Sequence, residues 1–145
     1  NEKPLGTNLL RSIISSKYVC TIKFTSSVSS CVASIPKNSP NKENGVGVNA
    51  EILINKINVD NAYDTKLFIV IAHELIHAQR IMKGVCGDMT IIERYWAFDP
   101  VLNLSFWHEK PLEELKVVGI KPGYVTTENG IRAENSLMMR TVYYG

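Results

Sequence analysis

One stretch limits what this chain can become: "IVIAHELIHAQRIMKG", residues 69 to 84. It is apolar enough for an interior, yet His73, Glu74 and His77 stand at its centre. Burying three polar, ionisable groups is costly unless each finds a partner, and a metal ion would serve all three. His73-Glu74-Leu75-Ile76-His77 is an H-E-x-x-H segment, whose i, i+4 spacing on a helix puts both imidazoles on one face, able to grip one zinc ion. Zinc lowers the pKa of a coordinated water to about 7 and polarises a carbonyl, while a glutamate beside the first ligand takes the proton as general base. The chemistry expected is peptide-bond hydrolysis with Glu74 in that role. The bland alternative is two satisfied histidines and a stray acid on a core helix. It does not explain why two of the three histidines in the chain fall together.

Bulk properties narrow the rest. A chain of 145 residues suits one domain, taken here as residues 1–145, with room for a real core. Its formal charge is +2, and its Lys and Arg are scattered from Lys3 to Arg140 without a basic stripe, which leaves no footprint for nucleic acid. Cys20, Cys31 and Cys86 make an odd set with no CxxC spacing, so no disulfide framework is signalled. The longest apolar run, "LFIVIA", belongs to the helix already quoted and falls short of the roughly 18 residues of a membrane span. The sequence opens at Asn1 rather than Met, which fits a native N-terminal region, with any secretion signal, lying ahead of it.

Leu5, Leu9, Leu10, Ile13 and Ile14 have helical spacing and predict a short leading helix. "YVCTIKF" (18–24) and "VSSCVASI" (28–35), separated by polar residues, read as a β-hairpin. Residues 36–45 are a loop by composition, and "VGVNAEILIN" (46–55) is a third strand, expected at a sheet edge. Asp64 or Thr65 can cap a central helix that runs to about Lys83, stopped by Gly84. Residues 85 to 110 are hard to read. A helix follows at 111–119, with Pro111 in its first turn and Gly119 as its stop, and a last one at about 128–137. Strands first and helices later argue for an α+β domain.

A catalytic zinc needs a third protein ligand. The HExxHxxGxxH pattern fails, because Arg80 and Lys83 stand where the Gly and last His belong. The ligand must come from another element. Glu113 and Glu114, on the helix at 111–119, are the best candidates, and Asp88, Glu93, Asp99 and His108 compete with them. Arg140 and Tyr143, three residues apart near the end, are candidates for stabilising a developing oxyanion.

The ordered set "IAHELIHA" (71–78), "EELKVVG" (113–119), "TENGIRAE" (127–134) and "RTVY" (140–143) resembles NleD-type and HopH-type zinc metallopeptidases, effectors delivered by bacterial type III secretion. The likeness covers roughly residues 67 to 144. A more distant one runs to clostridial neurotoxin light chains, from which this chain departs by Val117 at a usual Thr and by a shorter span from Glu114 to Arg140. The resemblance implies a zincin-like fold, one Zn2+ held by His73, His77 and Glu114, and Glu113 orienting a zinc-bound His. It also implies transition-state roles for Arg140 and Tyr143; of the two acids that could support Arg140 or a ligand, Glu128 and Glu134, the second is preferred and Glu128 is read as a helix-surface charge. Further, it implies a secreted, monomeric virulence protein that cleaves host stress-activated MAP kinases in the activation loop after delivery to the host cytosol. Two other readings remain: a toxin peptidase with a different protein substrate, and a non-catalytic interaction module that zinc stabilises, with His108 or Cys86 closing the site.

Overall fold

The computed structural model describes residues 3–28, 31–36, 45–57 and 66–144. Helix α1 (Pro4–Ile14) leads into β1 (Cys20–Phe24), β2 (Cys31–Ser34) and β3 (Ala50–Ile54). The long α2 (Leu67–Met82) follows, then β4 (Ile92–Asp99) and β5 (Leu104–Pro111), α3 (Leu112–Val118) and α4 (Glu128–Glu134). Among the described residues this is an α+β fold with four helices and two small sheets. No helix among those residues is long and apolar enough to cross a membrane.

The expected hairpin of the first two strands does not form. β3 lies between them, parallel to β1 and antiparallel to β2. β3 is the only one of the three whose alternate residues are fully apolar and buried: Ala50, Ile52 and Ile54 all point into the core. Such a strand gains most from the central position, where its backbone is paired on both sides and one face lies on a helix. β1, mostly exposed, gains least and takes an edge. The expectation of an edge strand at 46–55 is therefore also overturned, since the edges of the sheet are β1 and β2.

α2 organises the interior. Ten of its sixteen residues are buried, and it touches β2, β3, α1, α3 and α4. Isoleucines 69, 76 and 81 pack with Leu9 of α1, Ile52 and Ile54 of β3, and Ile131 of α4. A side-chain bond from Gln79 Nε2 to Ser12 Oγ at 2.6 Å ties α1 to the far end of α2. Lys66 flanks the helix start, while Asp64 and Thr65, the expected caps, lie outside the described residues, as does most of the loop 36–45. Both predicted stops hold: Gly84 and Gly119 have φ of +69° and +97°, the left-handed region that glycine enters without a Cβ clash. α4 stops earlier than expected, at Glu134, and Ser136 adopts a positive φ beyond it.

The illegible stretch 85–110 contains an antiparallel hairpin, β4 with β5, in register Tyr95 to His108 and Trp96 to Trp107. Asp99-Pro100 opens its turn. Asp99 Oδ1 accepts the Val101 and Leu102 N–H groups at 2.8 and 3.1 Å. The hairpin hands the chain directly to α3 at Pro111.

Ile76 has no exposed surface and sits where α2 meets the sheet. Ile76→Ala should lower unfolding free energy by about 2–5 kcal/mol in chemical denaturation, through lost transfer energy and the cavity left behind.

Candidate metal and catalytic site

α2 presents His73, Glu74 and His77 from within the core, each below a tenth exposed. α3 packs in the same buried cluster through Val117, which has no exposed surface, and its Glu114 meets the two histidines. His73 Nε2, His77 Nε2 and Glu114 Oε2 form a triangle with sides of 3.0, 3.1 and 3.2 Å. Donors at roughly 2.0–2.1 Å from a tetrahedral zinc lie about 3.3 Å apart, so this triangle has nearly the size of one face of such a site. Two imidazoles and one carboxylate are also the donor set of known catalytic zinc sites. The residues fit the ion. Glu114's carboxyl is held below the ordinary carboxylate range, because hydrogen bonds from His73 and His77 outweigh the opposing effect of its burial.

Behind His73 lies Glu128, 1% exposed. Its Oε1 meets His73 Nδ1 at 2.9 Å, Arg132 Nε donates to its Oε2 at 2.6 Å, and Arg140 NH1 reaches both oxygens at 3.0 and 3.3 Å. Against its burial, His73 and the two guanidiniums pull its pKa down to about 2. An ionised Glu128 requires a proton on Nδ1, which turns Nε2 toward Glu114 and leaves it as the ligand atom. With no ion competing, Glu114 and Glu128 also raise His73 itself to about 10, although burial alone would lower it.

Arg140 spends a guanidinium nitrogen on Glu128 at 3.0 Å, while its guanidinium carbon lies 5.4 Å from the centroid of the Tyr143 ring. The expectations for Glu134 and Glu113 change. Glu134 is not near the histidines. Both its oxygens accept from the start of α1, Leu5 N–H at 2.9 Å and Gly6 N–H at 2.7 Å, because a residue six positions after Glu128 lies on another face of α4. Glu113 hydrogen-bonds neither histidine. Its Oε2 accepts from the Tyr124 hydroxyl, and its Oε1 is buried without a hydrogen-bond partner. It still lies with His77 and Cys86 in a second group whose ligand-type atoms are all within 4.8 Å. Gly87 makes the room, since a Cβ there would stand 2.4 Å from Glu113 Oε2.

A cavity of about 240 Å³ opens beside the triangle, bounded by Cys31, Val32 and Ala33 of β2 and by Glu74, His77, Glu114 and Tyr143. Glu74 faces it with its pKa raised, because burial outweighs the neighbouring histidines, and such a carboxylate is a better base at neutral pH. Tyr143 stacks on His73, ring centroids 5.8 Å apart and planes 14° apart. Burial and then the charges of Glu114 and Glu74 raise its pKa, so it is a neutral hydroxyl with a proton to donate. Burial and Glu74 also push the Cys31 thiol up to about 12, which keeps it protonated. The competing ligands are occupied elsewhere: Asp88 with Thr90, Glu93 with Lys121, Asp99 in the hairpin turn, and His108 against Ala97 O. A larger cleft of about 380 Å³ between α1, α2 and α4 is lined mainly by apolar residues such as Leu10, Phe68 and Ile71.

No protein-family model, no curated protein and no solved structure matches this chain.

The His73 proton gives a test. In chain stripped of metal, His73 has a pKa of about 10 against an ordinary 6.5, so it is protonated at neutral pH and must lose that proton to bind an ion through Nε2. Zinc uptake should therefore release about one proton, and affinity should rise with pH until His73 titrates. Calorimetry in two buffers of different ionisation enthalpy reads this directly; release near zero would mean His73 is already neutral.

Proposed function

We propose that this chain is a zinc-dependent endopeptidase of zincin-like fold. The observation that carries the reading is the convergence of His73, His77 and Glu114 beside a cavity that Glu74 and Tyr143 also face. A zinc ion held by the three would supply Lewis acidity to a scissile carbonyl and to water. Glu74 takes the proton from the attacking water and delivers it to the leaving amine. Tyr143 donates its hydroxyl hydrogen bond to the carbonyl oxygen as that atom gains charge. Glu128, with Arg132 and Arg140 behind it, keeps His73 in the one tautomer and orientation that binding requires.

The edge strand β2, whose residues border the cavity, supports an extended peptide docked by strand addition. That favours an unstructured segment of a protein as substrate over a folded surface. The motif order narrows this further by resemblance, to the activation loop of host stress-activated MAP kinases met after type III delivery into the host cytosol. The second cluster of His77, Cys86 and Glu113 gives the non-catalytic reading its one observation, a thiol near the metal. Cobalt substitution separates the two: intense thiolate-to-cobalt absorption would favour a closed structural site, and its absence an open one.

The decisive experiment is mass spectrometry of fragments from a purified stress-activated kinase incubated with the zinc-loaded chain. A single cut in the activation loop is expected. An intact kinase together with cutting of other unfolded proteins would move the substrate, and failure to cut any protein despite bound zinc would overturn the peptidase. Glu74→Gln should lower kcat by at least roughly a hundredfold with zinc content unchanged. Tyr143→Phe should lower kcat by roughly a hundredfold with little change in KM, the signature of a donor used only in the transition state.

A further inference from the structure

Tyr143 lies in residues 137–144, which form neither helix nor strand. A phenol that must meet a developing charge at hydrogen-bond distance needs its backbone fixed to within a fraction of an ångström. Regular secondary structure does not supply that here. The segment's contacts with the β4–β5 hairpin do.

Three of them are polar. The Tyr143 backbone N–H donates to Tyr95 Oη at 3.3 Å, Thr141 Oγ1 donates to the Phe98 carbonyl at 3.2 Å, and the Tyr144 hydroxyl donates to Asp99 Oδ1 at 2.8 Å. Between them Val142 is buried, 3% exposed. At the other end of the segment Asn129 of α4 holds the Arg140 backbone by a reciprocal pair, accepting at 2.6 Å and donating at 2.9 Å. Tyr95 is itself held. Its ring stacks on His108 at 5.2 Å, and His108 stacks on Phe106 at 4.0 Å, all three on the inward face of the hairpin. A buried aromatic stack thus ends in a hydroxyl aimed at the peptide N–H of Tyr143.

We infer that the β4–β5 hairpin is the positioning device for Tyr143, acting through Tyr95 and through the Asp99–Tyr144 bond. Its kinetic consequence rests on the endopeptidase reading, whereas the placement of Tyr143 rests on the hairpin geometry alone. Tyr95 and Tyr144 are positioning residues: neither borders the cavity. Each can lose its hydroxyl without an obvious threat to folding. Tyr95→Phe keeps the stack on His108, and Tyr144→Phe leaves Asp99 its turn bonds to Val101 and Leu102.

The test has two readouts on the full chain. In the first, the six tyrosines are replaced by 3-fluorotyrosine and the Tyr143 ¹⁹F resonance is assigned by its loss in Tyr143→Phe. The double variant Tyr95→Phe/Tyr144→Phe should move that resonance toward the free amino acid or broaden it, with melting temperature and zinc content little changed. An unmoved Tyr143 resonance would overturn the inference whatever the activity. In the second, on a peptide spanning the cut site of a cleaved protein, the double variant should lower kcat about tenfold with KM held, and should cost nothing more in a Tyr143→Phe background. An equal drop in both backgrounds would show that the hairpin acts elsewhere and overturn the inference. A displaced resonance in a chain that cuts nothing would uphold the positioning and bring down the peptidase reading alone.

Discussion

The buried ion pair between Glu128 and its partners is the constraint on which the rest depends. A carboxylate with 1% exposure is tolerable only if its lone pairs are filled, and three cationic or donor groups fill them: His73, Arg132 and Arg140. Each comes from a different place in the chain, so satisfying Glu128 fixes α2, α4 and the C-terminal segment relative to one another. Removing one partner would leave a charge stranded in a low dielectric, which costs more than the pair itself contributes. The network therefore serves geometry before it serves stability. What it fixes is the direction of His73 Nε2.

α4 shows how much depends on this. Seven residues are too few to hold a helix by propensity. This one survives as a junction: Thr127 caps it, Glu128 and Arg132 pair one turn apart and back His73, Asn129 clamps the Arg140 backbone, and Glu134 caps α1. The same short element thus joins the leading helix, the central helix and the tail that carries Tyr143. A change at its start or its end would be felt at the histidines without touching them.

Much of this was legible and some was not, for reasons that can be named. α2 could be read because an apolar run with two histidines and a terminal Gly has few other meanings, and α3 because Pro111, the paired acids and Gly119 mark both its ends. The need for a third ligand on another element pointed to Glu113 and Glu114 together, and the resemblance alone singled out Glu114. β3 was misplaced because strand order is not written in any one strand: Cys20, Ile22 and Phe24 of β1 also make an apolar alternation, and only the burial of Ala50, Ile52 and Ile54, against the exposed Ile22 and Phe24, sets 50–54 apart. The hairpin at 92–111 stayed hidden because it breaks the usual alternation. Ile92, Trp96, Phe98 and Trp107 are about half exposed or more, while Tyr95, Asp99 and His108 face inward, so the polar and apolar positions are reversed from what a half-buried strand should show. Glu128 was undervalued beside Glu134 although a signal existed. Arg132 stands four residues after Glu128, and Ile131 marks that side of the helix as the one facing the core.

The reversal in the hairpin also bears on the site. A two-stranded ribbon is marginal on its own, and this one packs its polar and aromatic side, not an aliphatic one, against the rest of the chain. Such a face gives less hydrophobic stabilisation than leucines and isoleucines would, but its hydroxyl and carboxylate fix direction as well as distance. On the side of α2 facing β3 the chain uses isoleucines, where bulk alone decides the fit. Around His73 it uses hydrogen bonds between side chains, and along the tail bonds that also engage the backbone, which set the angle at which Tyr143 meets the histidine it stacks on. The interior thus falls into two parts: an apolar one that holds α2 to the sheet, and a polar one that sets the angles at which its histidines and the tail tyrosine meet.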